Sequence, residues 1–205
     1  MKHSDAEDFG AGAAQIVASV VPVLGGPVAA GIAAWEGRRV SKRIEALVGE
    51  IAVLAKQIDQ GKLDKSYVQT GEFQDAVIAA LDAGRRTGDS EKRRVIAAIL
   101  LGAAFAEKPP QLDVEALLNT IGSLSPQDLA LARFLYNESI RPDPKAVAST
   151  AAAPADFPDR EFHLKRLEAG GLIKEMTGTY GGSGGLYFMT ATFHRLMALL
   201  KLTGS

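Results

Sequence analysis

Residues 40–58 read VSKRIEALVGEIAVLAKQI, and Val40, Ile44, Leu47, Ile51, Leu54 and Ile58 recur at intervals of 4, 3, 4, 3 and 4. That is the a/d spacing of one apolar stripe on a helix whose opposite face is charged. A stripe of this kind has to be covered. It is short for a free-standing coiled coil, so the first expectation is a partner within the chain and the second is another copy of it. The helix is expected to run from about Pro27 to Gln60 and to stop at Gly61.

Upstream, Phe9–Trp35 holds no charged residue over 27 positions, which is long enough to raise a transmembrane reading. Its composition argues otherwise: ten residues are Val, Ile, Leu, Phe or Trp, eight are Ala and five are Gly. Pro22 and Pro27 each remove a backbone donor near its middle. A small-residue helical hairpin packed against protein is the simpler expectation. Ser4 and Glu7 have capping-box spacing at its start. Acids precede the apolar run and no small-residue cleavage site follows, so no secretory signal is expected.

Downstream the start and stop signals continue to read as helices. Thr70 is placed to cap a helix with Phe73, Val77 and Leu81 on its inner row, ended by Gly84 and Gly88. Another begins near Ser90 and carries Val95, Ile96, Ile99, Leu100, Ala103 and Phe105 to Pro109-Pro110. Short helices follow at 113–122 and 126–140, the latter with Ser125 as cap, Pro126 at the first position and Asp128 in the first turn. Residues 142–158, PDPKAVASTAAAPADFP, read as a linker. The expected organisation is a helical domain over 1–141, the linker over 142–158, and a C-terminal unit over 159–205 that can include helix 126–140.

Bulk composition bounds the function. Hydrophobic residues make up 47%, charged residues 23% and aromatics 6%, the balance of a globular chain richer in small residues than a β-sandwich wants. Net charge is -1, so any attraction to nucleic acid or anionic lipid has to be local. With no cysteine, disulfides, thiolate metal sites and cysteine nucleophiles are excluded. His3, His163 and His194 have no metal-ligand spacing and read as solvated helix-face residues. The run Gly181–Gly185 lacks the Gly-Lys-Ser/Thr ending of a phosphate loop and reads as a hairpin tip. No nucleophile elbow and no carboxylate pair stand out, so neither enzyme activity nor a cofactor is expected.

The end of the chain, REFHLKRLEAGGLIKEMTGTYGGSGGLYFMTATFHRLMALLKL, reads as helix, strand, glycine-rich turn, strand and helix. Its "LKRLEAGGLI" followed by "YFMT" resembles the winged helix-turn-helix of bacterial regulators, over residues 126–205 at most. The resemblance implies a nucleic-acid or partner contact by Arg160, His163, Lys165 and Arg166 on the exposed face of the helix before the hairpin. The helix that normally precedes it would have to come from the linker. From Asp156 to Ser205 six Lys/Arg meet five Asp/Glu, a net +1, where DNA-binding domains carry more positive charge. The middle, with GEFQDAVIAALDAG and SEKRRVIAAILLGAAF, resembles uncharacterised helical proteins of bacteria and phages.

Two basic clusters remain: Arg38, Arg39, Lys42 and Arg43, and Arg85, Arg86, Lys92, Arg93 and Arg94. The first adjoins the uncharged stretch, an arrangement suited to anionic membranes. Its bland reading is a solvated helix face. The expected fold class is mainly α, a helical bundle with an N-terminal hairpin followed by a small winged-helix-like unit with one β-hairpin. The leading functional expectation is a non-enzymatic interaction or regulatory protein that self-associates or binds a protein partner in the cytoplasm. The second is a membrane-active protein, toxin-like or a phage-defence effector, peripheral to the membrane and entering it through residues 9–35. The third is a DNA-binding winged-helix regulator.

Overall fold

The computed structural model describes residues 42–108, 112–140, 150–176 and 185–202. The expected helix cap at Ser4, the apolar hairpin of residues 9–35, Val40 and the tip 181–184 lie outside them. The fold is mainly α with a small antiparallel sheet. Leu124–Met197 form one compact unit, and the described residues of Met1–Ser123 and Ala198–Ser205 the other.

The first unit contains α1 (Lys42–Ala55), α2 (Gly71–Arg86), α3 (Ser90–Ala103) and α4 (Val114–Ser123). Every residue of α3 from Val95 to Ala103 is buried, because alanines alternate there with Val, Ile and Leu around the whole helix. A helix apolar on all sides belongs at the centre of a bundle. Accordingly α1, α2 and α4 all pack on it, while α2 also packs on α4 and α1 on α2.

The heptad stripe is consumed inside this bundle. Ile44, Leu47, Ile51 and Leu54 are all buried, with Leu47 at 0% exposure. Gly84, expected to end α2, lies within it. A Cβ built there would stand 2.5 Å from Leu47 Cδ2, so the glycine is a slot for the leucine rather than a stop. Gly102 serves similarly beneath the Leu199 backbone, whose carbonyl oxygen would be 2.9 Å from an added Cβ.

Helix starts follow their caps: Thr70 Oγ1 accepts from Phe73 N at 3.3 Å, and Asp89 Oδ1 from Lys92 N at 2.7 Å. Two ends differ from expectation. Helix α1 stops at Ala55, not near Gln60, because Gln57 N bonds Leu54 O at 2.9 Å and tightens the last turn, leaving Ile58 half-buried beyond it. Helix α3 stops at Ala103, short of Pro109. Phe105 instead bridges Leu63, with Asp64 N bonded to Ala104 O at 2.8 Å and Ala106 N to Lys62 O at 3.0 Å. Lys92 is buried in this unit, and its Nζ donates to Gly122 O at 2.9 Å, beside the negative end of the α4 dipole.

The second unit holds α5 (Pro126–Ser139), β1 (Thr150–Ala152), α6 (Arg160–Ala169), β2 (Ile173–Glu175), β3 (Leu186–Met189) and the start of α7 (Ala191–Leu202). The sheet order is β1-β3-β2, all antiparallel. The expected hairpin is present, pairing Ile173 with Met189 and Glu175 with Tyr187. A third strand comes from within the stretch read as a linker: Thr150 pairs with Phe188 and Ala152 with Leu186. Its two alanines carry little strand propensity; pairing to β3 and packing of α5 on β1 place it there. Gly171, at φ 69°, makes the left-handed turn off α6, and Thr190 then ends β3 and caps α7 by accepting from Phe193 N at 3.2 Å. No described helix is long and apolar enough to cross a membrane.

The α1 stripe makes a direct prediction. Leu47→Ala is expected to cost about 2–5 kcal/mol, as deletion of a fully buried leucine does. Val53→Ala, on the 53%-exposed side of the same helix, should change stability by no more than about 0.5 kcal/mol. Urea midpoints of the two variants check this. Equal effects would show that the stripe is not the buried face.

Candidate functional site

The residues that position the C-terminal unit's outer face begin at the N-terminus of α5. Ser125 Oγ accepts from Asp128 N at 3.2 Å, and Asp128 Oδ2 accepts in return from Ser125 N, closing a capping box. Pro126 stands at the first helical position, where its missing N–H costs nothing. Asp128 has a second task. It is 0% exposed, and its Oδ1 accepts from His163 Nδ1 at 2.7 Å while Arg166 Nη2 lies 3.3 Å from Oδ2. One carboxylate thus caps α5 and holds α6 to it.

Spacing explains why α6 can answer. Arg166 and Leu167 lie three and four positions after His163 and flank it on one side of the helix. His163 is only 8% exposed, so the expectation of a solvated helix-face histidine is overturned. A buried ion needs compensation, and the imidazole N–H supplies part of what water would have given Asp128. The rings of Phe157 and Phe162 meet the imidazole edge-to-face, with centroids 5.7 and 5.5 Å away.

Burial pushes the Asp128 carboxyl up. The His163 hydrogen bond, the N–H and hydroxyl of Ser125 and the Arg166 charge outweigh burial and hold it below the ordinary carboxylate value. Asp159, immediately before α6, takes the left-handed conformation (φ 47°, ψ 34°), which Asp tolerates better than most residues.

The other predicted contact residues separate. Arg160 is half-buried and lines a cleft of about 320 Å³ between α6 and the hairpin, together with Glu161, Lys165, Glu175 and Tyr187. Lys165 is exposed, yet its Nζ sits 3.0 Å from Glu168 Oε2 and 3.6 Å from Glu175 Oε2. The Glu168 hydrogen bond and charge raise the Lys165 pKa, and the same bond lowers that of Glu168. Outside all of this stands Phe162, 60% exposed, with the Arg166 guanidinium 5.6 Å from its ring centre. His194 is half-buried against Tyr136, ring centroids 5.9 Å apart.

Of the first basic cluster, Lys42 and Arg43 are exposed at the start of α1, and Arg38 and Arg39 lie outside the described residues. Among the described residues, no three His, Asp or Glu side chains converge as a metal site would require. The Asp128 anchor was missed from sequence. Its i, i+3 signal, His163 and Arg166 on one helix face, was present, but its partner lies 35 positions earlier.

No protein-family model, no curated protein and no solved structure matches this chain.

The titration of Asp128 fixes a pH dependence. Its folded pKa is lowered, so the stabilisation is complete above the unfolded value of about 3.9 and is lost as pH falls through the folded one. The second unit is therefore expected to lose stability steeply below about pH 4. Asp128→Asn should flatten that loss and cost about 3–5 kcal/mol at neutral pH, where it leaves the buried pair broken. Thermal melts followed across pH check both. An unaltered acid limb in the variant would remove Asp128 from this role.

Proposed function

We propose that this chain is a non-enzymatic interaction protein that self-associates through the outer face of α6, in a winged-helix-like unit used for protein contact. The observation that carries the reading is the exposed Phe162 on a helix where the cations that follow it, Lys165 and Arg166, already have carboxylate partners. Arg166 is drawn inward by Asp128, and Lys165 stands between Glu168 and Glu175. A helix that reads DNA needs its cations for phosphates. An aromatic ring flanked by an arginine and ringed by mixed charge is instead the composition of a protein-interface centre.

Self-association is favoured by the sign pattern. Glu161 and Lys165 are four positions apart and so share one flank of α6 beside Phe162. Two copies of α6 in antiparallel contact would bring two phenylalanines together, with Glu161 of each copy facing the Lys165–Glu168–Glu175 cluster of the other, as the self-complementarity of a two-fold interface requires. The winged-helix-like reading is supported by the element order, with α5 before β1, α6 between β1 and β2, and β3 central in the sheet.

Sedimentation velocity of the full chain over a concentration series tests this. The weight-average mass is expected to rise with concentration, and Phe162→Ser should shift the association constant by at least about tenfold, as an interface anchor does. In parallel, fluorescence anisotropy with duplex DNA of varied sequence at low salt should show no saturable binding. Tight, salt-sensitive duplex binding that Lys165→Ala weakens would overturn the reading in favour of a DNA-binding regulator.

A further inference from the structure

Arg160 is placed unlike the other cations of α6. It is half-buried on the wall of the cleft between α6 and the hairpin. The acids nearest to it in sequence are Asp156, Asp159 and Glu161, and Glu175 lines the cleft from β2. Among the described residues none of them makes an ion pair with Arg160. Lys165, by contrast, is held by Glu168 and Glu175. A guanidinium that has lost part of its water and gained no counter-charge is stabilised by any anion that enters beside it.

Tyr187 supplies the second observation. It is 8% exposed and lines the same cleft, and its hydroxyl makes no hydrogen bond with a described residue. A buried phenol ordinarily finds a partner. Burial first, and then the Glu175 charge, raise its pKa, so the hydroxyl keeps a proton to donate. Central strand β3 carries it, paired with Ala151 on one side and Glu175 on the other, which fixes the backbone behind this donor.

Charge selects the kind of anion. Arg160 and Lys165 line the cleft with Glu161 and Glu175, two cations against two anions. A phosphate would bring its charge against both glutamates. A zwitterion meets both signs, because its ammonium group can approach Glu161, which has no ion pair among the described residues, and Glu175, whose Oε2 is 3.6 Å from Lys165 Nζ. Its carboxylate matches the planar N–H pair of an arginine. Leu164 and Ala153 add an apolar wall. We propose that this cleft binds a free α-amino acid, with its carboxylate on Arg160 and Tyr187 and its ammonium group on Glu161 and Glu175. Phe162 is not among the lining residues, so the inference does not rest on self-association.

Saturation-transfer NMR titration of the full chain with each standard amino acid tests it. At least one is expected to bind with a Kd below about 1 mM. The amine left when that amino acid loses its carboxyl group, and inorganic phosphate, should not bind. Arg160→Gln is expected to weaken binding by at least about tenfold and Tyr187→Phe by about fivefold. Tyr187→Phe keeps the buried ring, so an unchanged urea midpoint is expected and excludes misfolding as the cause. Glu161 and Lys165 also border the proposed contact between copies, so the titrations are repeated on Phe162→Ser, which should bind at least as tightly as the parent chain. Loss of association without loss of binding in that variant separates the two readings. No amino acid binding more tightly than about 1 mM to either chain, equal binding of the amine, binding of phosphate instead, or indifference to both cleft variants would each overturn the proposal.

Discussion

A single buried carboxylate organises the C-terminal unit. Asp128 is enclosed completely, and an isolated carboxylate in that position would be expensive. The cost is offset because its oxygens are used at once by Ser125, His163 and Arg166. Each of those bonds constrains something different. Ser125 sets where α5 starts, His163 sets the distance between α5 and α6, and Arg166 sets the rotation of α6 about its axis. With that rotation fixed, Leu164 and Leu167 turn inward and Phe162 is left outside.

This arrangement also decides the character of the outer face. Of the cations that sequence reasoning offered to nucleic acid, Arg166 goes to the interior carboxylate and Lys165 to two glutamates, while Arg160 lines the cleft beside the hairpin. What remains outward is an aromatic ring among charges of both signs. The helical unit shows the opposite logic. There Arg43 and Arg93 rest on backbone carbonyls, Arg43 at the exposed start of α1 and Arg93 half-buried in the first turns of α3.

Much of the helical architecture was legible from local signals. The caps at Thr70 and Ser125, the proline at the first position of α5 and the 4,3 stripe of α1 each state their structure within a few residues. Where local signals misled, a distant partner intervened. Gly84 looks like a helix stop, yet it remains helical because Leu47 fills the space a side chain would need. Thr150–Ala152 look like linker, yet β3 supplies the pairing their composition does not advertise. His163 looks like a surface histidine because nothing near it in sequence announces Asp128. The joining of the basic clusters was equally hidden, since Arg43 and Arg85 are 42 positions apart.

A double-mutant cycle on Asp128 and His163 tests the account where it is most exposed. Asp128→Asn, His163→Gln and the double variant would be compared by urea unfolding at neutral pH. If the carboxylate and imidazole depend on one another as their 2.7 Å contact requires, the two single costs should sum to at least about 1.5 kcal/mol more than the cost of the double variant. Additive costs, within about 0.5 kcal/mol, would mean that the two groups act separately. The orientation of α6, and the face it presents, would then have to rest on something other than Asp128.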